Sequence, residues 1–473
     1  MASKLPDYVA SAEPVPQGAR APWYKNTAQT YAGIMLWFVF WSQIPVGGGL
    51  PGGTLAQGLG AAFIGLIAAA LICHLLFYVV PGMLGMKTGL PLYIVGTSTY
   101  GVQGGFLMPG FLMGVLQFGW LAVNACFASV LLCAPFGYGI GTVPHAVVAA
   151  VWAILGAFMG LKGIQYVARV ATFLPLIPLV ILIMLFVSTV GGIGGFDAQA
   201  LIAKTAPAAT TGEAAAGPAA LTTFGVIALL ITYVVGFFAT AGAAGADFGM
   251  NNRHGKDVQL GGIVGIVLST VFAGGMALLI VAGAHGGGKA GAGAVLDPTA
   301  LMGGILGEKM GAVCMWLLAI AAFPPACFSA FIAANSFKTT LPKVNPFISC
   351  GIGTVVAIVL AVTGWAGDAI AVFTIIGASF GPVCGAMMAD YLLAGRKWAG
   401  PRAGWNIAGW LSWIVGFAVG AVEFIAQIPG LEGLAGKVPC PPVAAFIVGF
   451  VLYIILAKIG LETKVISTET AAE

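Results

Sequence analysis

The sequence predicts an all-α integral membrane protein of about twelve transmembrane helices. Three observations predict it: too little charge for a water-facing surface, a series of apolar runs long enough to cross a bilayer, and a one-sided placement of lysine and arginine between those runs. Of the 473 residues, 60% are hydrophobic and 7% charged, against about 25% charged in soluble domains. A chain this poor in charge is solvated mainly by lipid.

A spanning helix needs about 20 mostly apolar residues. Such runs cover 31–50, 57–82, 106–133, 144–161, 163–190, 221–246, 258–285, 308–336, 346–365, 368–394, 404–428 and 441–460. They are too long for membrane β-strands of roughly 10 residues. With the N terminus inside, 15 lysines and arginines fall in segments on that side and four, Lys204, Lys289, Lys309 and Lys437, on the other. This is the bias that orients membrane proteins. An even number of spans returns the C terminus to the same side, so a multi-pass cell-membrane protein with both termini cytoplasmic is expected. The first 28 residues lack the apolar core and cleavage site of a signal peptide and form a polar tail. A ten-helix core over 29–394 follows, then two helices over 404–460 and a tail over 461–473.

The net charge of +4 is small, and no basic stripe for nucleic acid is present. The eight cysteines lie in or at the ends of apolar runs, with no CxxC or Cys/His cluster, and read as buried thiols. The tracts 206–219 and 286–294 are low in complexity and read as flexible outer connections. The second lacks the Gly-Lys-Ser/Thr ending of a phosphate-binding loop. No HExxH, GxSxG, Walker motif or repeated filter sequence is visible, which argues against enzyme, pump and channel. No cofactor is expected, and the protein reads as a monomer or weak oligomer in the lipid bilayer.

Two runs share a feature. The first contains Ser42-Gln43-Ile44-Pro45-Val46-Gly47-Gly48-Gly49, and the sixth contains Gly236-Phe237-Phe238-Ala239-Thr240-Ala241-Gly242-Ala243-Ala244-Gly245. Proline and glycine clusters weaken a helix, and irregular backbone survives at membrane depth only where protein buries it or it lines a cavity. Paired breaks five helices apart predict two inverted five-helix repeats, over about 29–190 and 221–394, with a ligand at the broken helices near the midplane. The alternative is that these glycines serve close helix packing.

In the third run, Gln117, Trp120 and Asn124 lie three and four residues apart and therefore on one helix face. Amides facing lipid are costly, so this face looks into the bundle. A tryptophan face beside a paired donor and acceptor suits a planar heterocycle with an amide-like edge. Phe237, Phe238 and Thr240 stand beside the sixth-run cluster and Gln43 beside the first. Rare ionisable residues in apolar runs are functional candidates. Asp247 and Asp390 read as gate residues that could meet Arg253 or Arg396, and His74 or Glu423 as proton carriers, a packing histidine or edge carboxylate being the commoner case.

The chain resembles the nucleobase:cation symporter-1 family, in particular its bacterial cytosine and purine–cytosine permease branch. The matching pieces are Pro14-Val15-Pro16-Gln17, Gly53-Thr54-Leu55, Lys87-Thr88-Gly89-Leu90, Gln117-Phe118-Gly119-Trp120, Ala246-Asp247-Phe248, Gly381-Pro382-Val383 and Ala389-Asp390-Tyr391-Leu392. The resemblance implies an amino-acid/sodium symporter-like fold and a secondary active symporter for a nucleobase. It implies a base held between Trp120 and Phe238, with Gln117 at the family's helix-three amide and Thr240 at one of its helix-six hydroxyls. Helix eight departs from the pattern. Where the family has an amide for the base and hydroxyls for sodium, this chain has Ala321-Ala322-Phe323-Pro324-Pro325, the nearest candidates being Cys327 and Ser329. A sodium site would draw on carbonyls near Phe38 and Trp41. The coupling cation, Na+ or H+, stays open, and so does a same-fold transporter of an amino acid or amine.

Overall fold

The computed structural model describes residues 5–206, 218–291, 295–341 and 343–466. Most of the tract 206–219, residues 292–294 of the glycine-rich loop and the last seven residues of the C-terminal tail lie outside the described residues. Within them the regular structure is helical, apart from two isolated β-bridges.

Twelve helices follow the apolar runs. In chain order they are α1 (Thr27–Met35 and Phe38–Gln43), α2 (Gly58–Thr88), α3 (Thr97–Phe136), α4 (Val143–Lys162), α5 (Leu176–Gly195), α6 (Thr223–Ala243), α7 (Gly255–Gly286), α8 (Glu308–Ala321 and Phe323–Thr340), α9 (Pro346–Val362), α10 (Ala369–Leu393), α11 (Ile407–Gly420) and α12 (Pro441–Lys458). Ile64, Val147, Ile154, Phe158, Val355 and Ile447 point outward, more than half exposed, as lipid-facing side chains do. The described residues form an all-α bundle whose long apolar helices are those of a membrane protein.

The break in α1 falls at a place that composition did not mark. In α1 the helix stops at Leu36 and resumes at Phe38, with Trp37 extended (φ −60°, ψ 126°). The carbonyl this frees, Leu36 O, accepts the indole N–H of Trp41 at 3.1 Å. The glycines expected to break α1 instead end it and turn the chain back. Gly53 has φ 52° and no room for a Cβ against the Pro45 carbonyl oxygen. In α6 the helix runs without interruption to Ala243 and is disturbed only at Ala244, before the short helix Gly245–Gly249. Its glycines are seats for neighbours: a Cβ on Gly242 would lie 2.8 Å from Phe77 Cβ, and one on Gly245 2.8 Å from the Tyr78 ring. The close-packing alternative therefore describes α6. The clear second break is in α8 at Ala322, ahead of Pro324 and Pro325, because a proline pair fits only the first turn of a new helix.

Of two boundaries, one moves. Helix precedes the third run from Thr97, but the backbone is non-helical at Gly101 (φ 81°, ψ 163°) and at Met108 (φ −113°, ψ 114°), so the unbroken part of α3 begins close to the expected 106. The polar stretch Thr97–Gly105 is largely buried against the α10–α11 connection. There Val102 N–H bonds Arg402 O at 2.8 Å and Gln103 N–H bonds Gly404 O at 2.9 Å. The fifth run divides into Ile164–Ala171 and α5 just before Leu176, where Pro175 cannot continue a helix.

α10 packs against α6, α11 and α12 and is the most enclosed span. Its Gly377, Gly381 and Gly385, four residues apart, form a groove that receives α12, the small-residue packing common in membranes. Backbone near each end of the described chain is tied to the connections between helices. Arg20 donates to Met86 O at 2.6 Å, Ala21 N–H to Asn251 O at 2.8 Å, and Ile466 N–H to Pro401 O at 2.7 Å.

A Cβ on Gly381 would stand 2.7 Å from the Pro442 carbonyl oxygen, whereas Gly351 on α9 has nothing within 4 Å. Gly381→Val is expected to cost about 1–3 kcal/mol through overpacking, seen as a lowered unfolding temperature in detergent. Gly351→Ala is expected to leave that temperature unchanged or raise it.

Candidate functional site

The α3 face enters the bundle as its spacing predicts. Gln117, Trp120 and Asn124 are all buried, but their tasks differ. The Trp120 ring lies 5.3 Å from Phe237, edge-on, 5.3 Å from Phe373 of α10, and 6.0 Å from Trp37 at the α1 break. Its indole N–H donates to Thr240 Oγ1 at 3.2 Å. Gln117 donates to the Met113 thioether at 3.5 Å, a weak acceptor that leaves the amide open to a better partner. Asn124 is fully engaged elsewhere. Its Nδ2 donates to Ala322 O, the carbonyl at the α8 break, at 2.9 Å, and its Oδ1 accepts the Trp152 indole N–H at 2.9 Å. It splints α8 to α3 and α4.

α6 presents consecutive phenylalanines to different neighbours, since successive residues on a helix point about 100° apart. Phe237 meets Trp120, Phe373 and Phe40, the last at 4.7 Å. Phe238, expected opposite Trp120, instead packs 5.5 Å from Tyr31. The ring facing Trp120 is therefore Phe237, a correction that spacing alone could not make. Trp37 was missed entirely. Its indole nitrogen is buried without a hydrogen-bond partner, although a buried Trp N–H normally has one. The available signal was a tryptophan N–H within an apolar run, which has no water to turn to.

Tyrosines tie α1 to α6 in both directions. Tyr31 Oη donates to Ala241 O at 2.9 Å, and Tyr233 Oη lies 3.0 and 2.8 Å from the carbonyls of Val39 and Phe40. Leu36 O is capped by Trp41, and the carbonyls of Val39 and Phe40, next to the sodium candidates Phe38 and Trp41, share the single Tyr233 hydroxyl. Ser329 is buried in α8, whose chief packing partners are α3, α4 and α9. The piece Phe38–Gln43 lies against α6 and α7. Gln43 reaches the connection between α7 and α8, donating to Asp297 Oδ2 at 3.3 Å.

The expected gate pairs are replaced by others. Asp247 accepts Leu92 N–H at 3.0 Å, at the start of the short helix Leu92–Val95. Burial pushes its carboxyl up to about 6 against that bond. Arg253 pairs with Asp257 at 3.1 Å, not with Asp247, because it lies just ahead of α7 and Asp257 sits in the first turn of that helix. Asp390 pairs with Arg402 at 3.2 Å and accepts Ser98 Oγ at 2.6 Å, Thr99 Oγ1 and Tyr453 Oη, while Arg402 also meets Glu462 at 3.0 Å. Arg396 sits in a left-handed turn (φ 62°), and its carbonyl accepts Lys87 Nζ at 2.6 Å. His74 is buried, with Nδ1 unpartnered, 6.0 Å from the Tyr78 ring. Glu423 accepts Gly436 N–H at 3.0 Å.

No family model matches the chain. It is 27% identical over 392 residues to the cytosine permease of Escherichia coli strain K12, which spans 81% of both chains. Its fold is shared by solved structures that include two of Mhp1. Mhp1 in an inward-facing conformation has TM-score 0.64 at 15% identity, covering 98% of this chain and 97% of the other. Mhp1 in a closed conformation with bromovinylhydantoin bound, described as a nucleobase-cation-symport-1 family transporter, has TM-score 0.63 at 14% identity, covering 95% and 96%.

The division of labour on α3 predicts unequal effects. Asn124→Ala leaves a carbonyl and an indole N–H unpaired in the bundle and is expected to cost about 1–3 kcal/mol for each, with a clear fall in unfolding temperature. Gln117→Ala, which loses one weak bond, is expected to shift that temperature little.

Proposed function

We propose that this chain, a member of the nucleobase:cation symporter-1 family, imports a nucleobase-like planar heterocycle by cation-coupled alternating access, with both termini cytoplasmic. One observation carries the reading. Trp120 stands among Trp37, Phe237 and Phe373 at the break in α1, beside an indole N–H with no partner and an amide bound only to sulfur. Flat aromatic faces with under-used donors and an acceptor are what a small heterocycle needs. The likeness to cytosine permease supports a base, and the hydantoin held by Mhp1 is likewise a planar ring with an amide edge.

A base entering between Trp120 and Phe237 displaces the edge-on contact of those two rings and stacks on the indole. Its edge takes hydrogen bonds from Trp37 Nε1 and Gln117. Thr240, which accepts from Trp120 Nε1, holds the indole plane. Phe238, Tyr31 and Tyr233 stand behind this shell and hold α1 against α6. The breaks at Trp37 and Ala322 let the halves of α1 and α8 tilt separately, so that the site opens to one side at a time.

The test is uptake of radiolabelled cytosine in cells lacking their own permeases, with adenine, hypoxanthine, uracil and allantoin as competitors. Base–aromatic stacking is worth about 1–3 kcal/mol, so Trp120→Ala and Phe237→Ala are each expected to weaken uptake by roughly 10- to 100-fold at normal surface expression. Uptake inhibited by an amino acid or amine and indifferent to bases would contradict the reading.

A further inference from the structure

The connection between α7 and α8 carries a carboxylate that the ring site leaves unexplained. Asp297 is half-buried. Its Oδ1 accepts the backbone N–H and the hydroxyl of Thr299, both at 2.7 Å, and its Oδ2 accepts Gln43 Nε2 at 3.3 Å. Gln43 stands one helical turn beyond Phe40, whose ring is 4.7 Å from Phe237, and residues three apart share a helix face. The Asp297–Gln43 pair therefore stands one turn along α1 from Phe40 of the aromatic cluster, on the same helix face.

The chemistry of the pair is directional. An ionised carboxylate only accepts, so it holds the amide by its nitrogen. The second contact of that nitrogen is Ser42 Oγ at 3.4 Å, and Oε1 is left as a free acceptor. A protonated carboxyl can donate instead, and the amide then turns its oxygen to Asp297. Asp297 has no ion-pair partner among the described residues. Tyr233 of α6 lies within its field, with its hydroxyl committed to α1 carbonyls. On α7, His285 bonds Val295 O at 2.8 Å, and beyond it Lys289 donates to Ser188 O at 2.7 Å. Lys204, from the short helix before α6, acts on His285. No cation therefore fixes the charge of Asp297. Burial pushes its carboxyl up to about 6, against the opposing bonds from Thr299, Ala300 and Gln43.

We propose that Asp297 is a positioning residue for substrate recognition: as a carboxylate it orients the Gln43 amide so that Oε1 accepts an N–H from the edge of the bound heterocycle. The proposal rests on the base reading above. Its sign follows from linkage. Substrate binding favours the charged form, so the added affinity is present above about pH 6 and is lost as pH falls through that value.

The experiment is equilibrium binding of cytosine to the full-length protein in detergent, where no gradient drives transport, read by quenching of tryptophan fluorescence between about pH 5.5 and 8. In the wild type Kd is expected to weaken about two- to threefold by about pH 5.5, part of the roughly fivefold worth of one neutral hydrogen bond. Asp297→Asn, which cannot titrate, is expected to flatten the profile, Asp297→Glu to keep it, and Gln43→Leu to bind weakly at every pH. An Asp297→Asn profile that matches the wild type overturns the proposal, as does a flat profile in a wild type that binds cytosine. A wild type that binds no base at any pH overturns the base reading and this proposal together.

Discussion

A carbonyl released inside a bilayer has no water to turn to, and the buried polar side chains of this protein are arranged around that constraint. The break in α1 frees Leu36 O, and the Trp41 indole caps it. The carbonyls of Val39 and Phe40 gain the Tyr233 hydroxyl. The break in α8 frees Ala322 O, and Asn124 takes it. Each donor comes from a long side chain on the same or a neighbouring helix, so satisfying the backbone also sets how the helices sit. The tyrosines clasp α1 to α6, and Asn124 with Trp152 joins α8, α3 and α4.

The ring site follows from this arrangement. Extended backbone at Trp37 swings that side chain out of the α1 helix and into the space before Trp120. The Tyr233 clasp brings Phe40 to within 4.7 Å of Phe237. The cluster is apolar except at its rims, where Trp37 Nε1, Gln117 and Thr240 supply hydrogen-bonding groups. Apolar walls with a few polar groups let stacking provide affinity and hydrogen bonds provide choice. At the other end of the bundle, the Asp390–Arg402–Glu462 network fastens α11 and α12 to the start of α3. The last two helices are thereby integral to the packing around α10.

Much of this was legible in the chain. Hydropathy marked the twelve helical segments, and three-and-four spacing put Gln117, Trp120 and Asn124 on one inward face. The break positions were not legible. Glycine clusters in α1 and α6 look like interruptions, yet one turns the chain and the other admits neighbouring side chains. The α1 break lies at a Leu-Trp step that no composition rule marks. Proline did carry the signal in α8, where Pro324-Pro325 opens the second half of the helix. The choice between Phe237 and Phe238 depends on helix rotation, which only packing against α1 and α10 decides. The ion pairs were misjudged because charges were matched by nearness in sequence to the gates. Arg402, beyond a turn, reaches Asp390, while Arg396 is exposed in left-handed backbone.

The central claim is that the Trp120–Phe237 gap is where the substrate ring sits. The most direct measurement is an experimental structure of the protein saturated with cytosine. The account predicts planar density stacked on the Trp120 indole, with Phe237 moved off its edge-on contact and Trp37 Nε1 within hydrogen-bond reach of the ring edge. Ring density elsewhere in the bundle, with the Trp120–Phe237 contact intact, would contradict it.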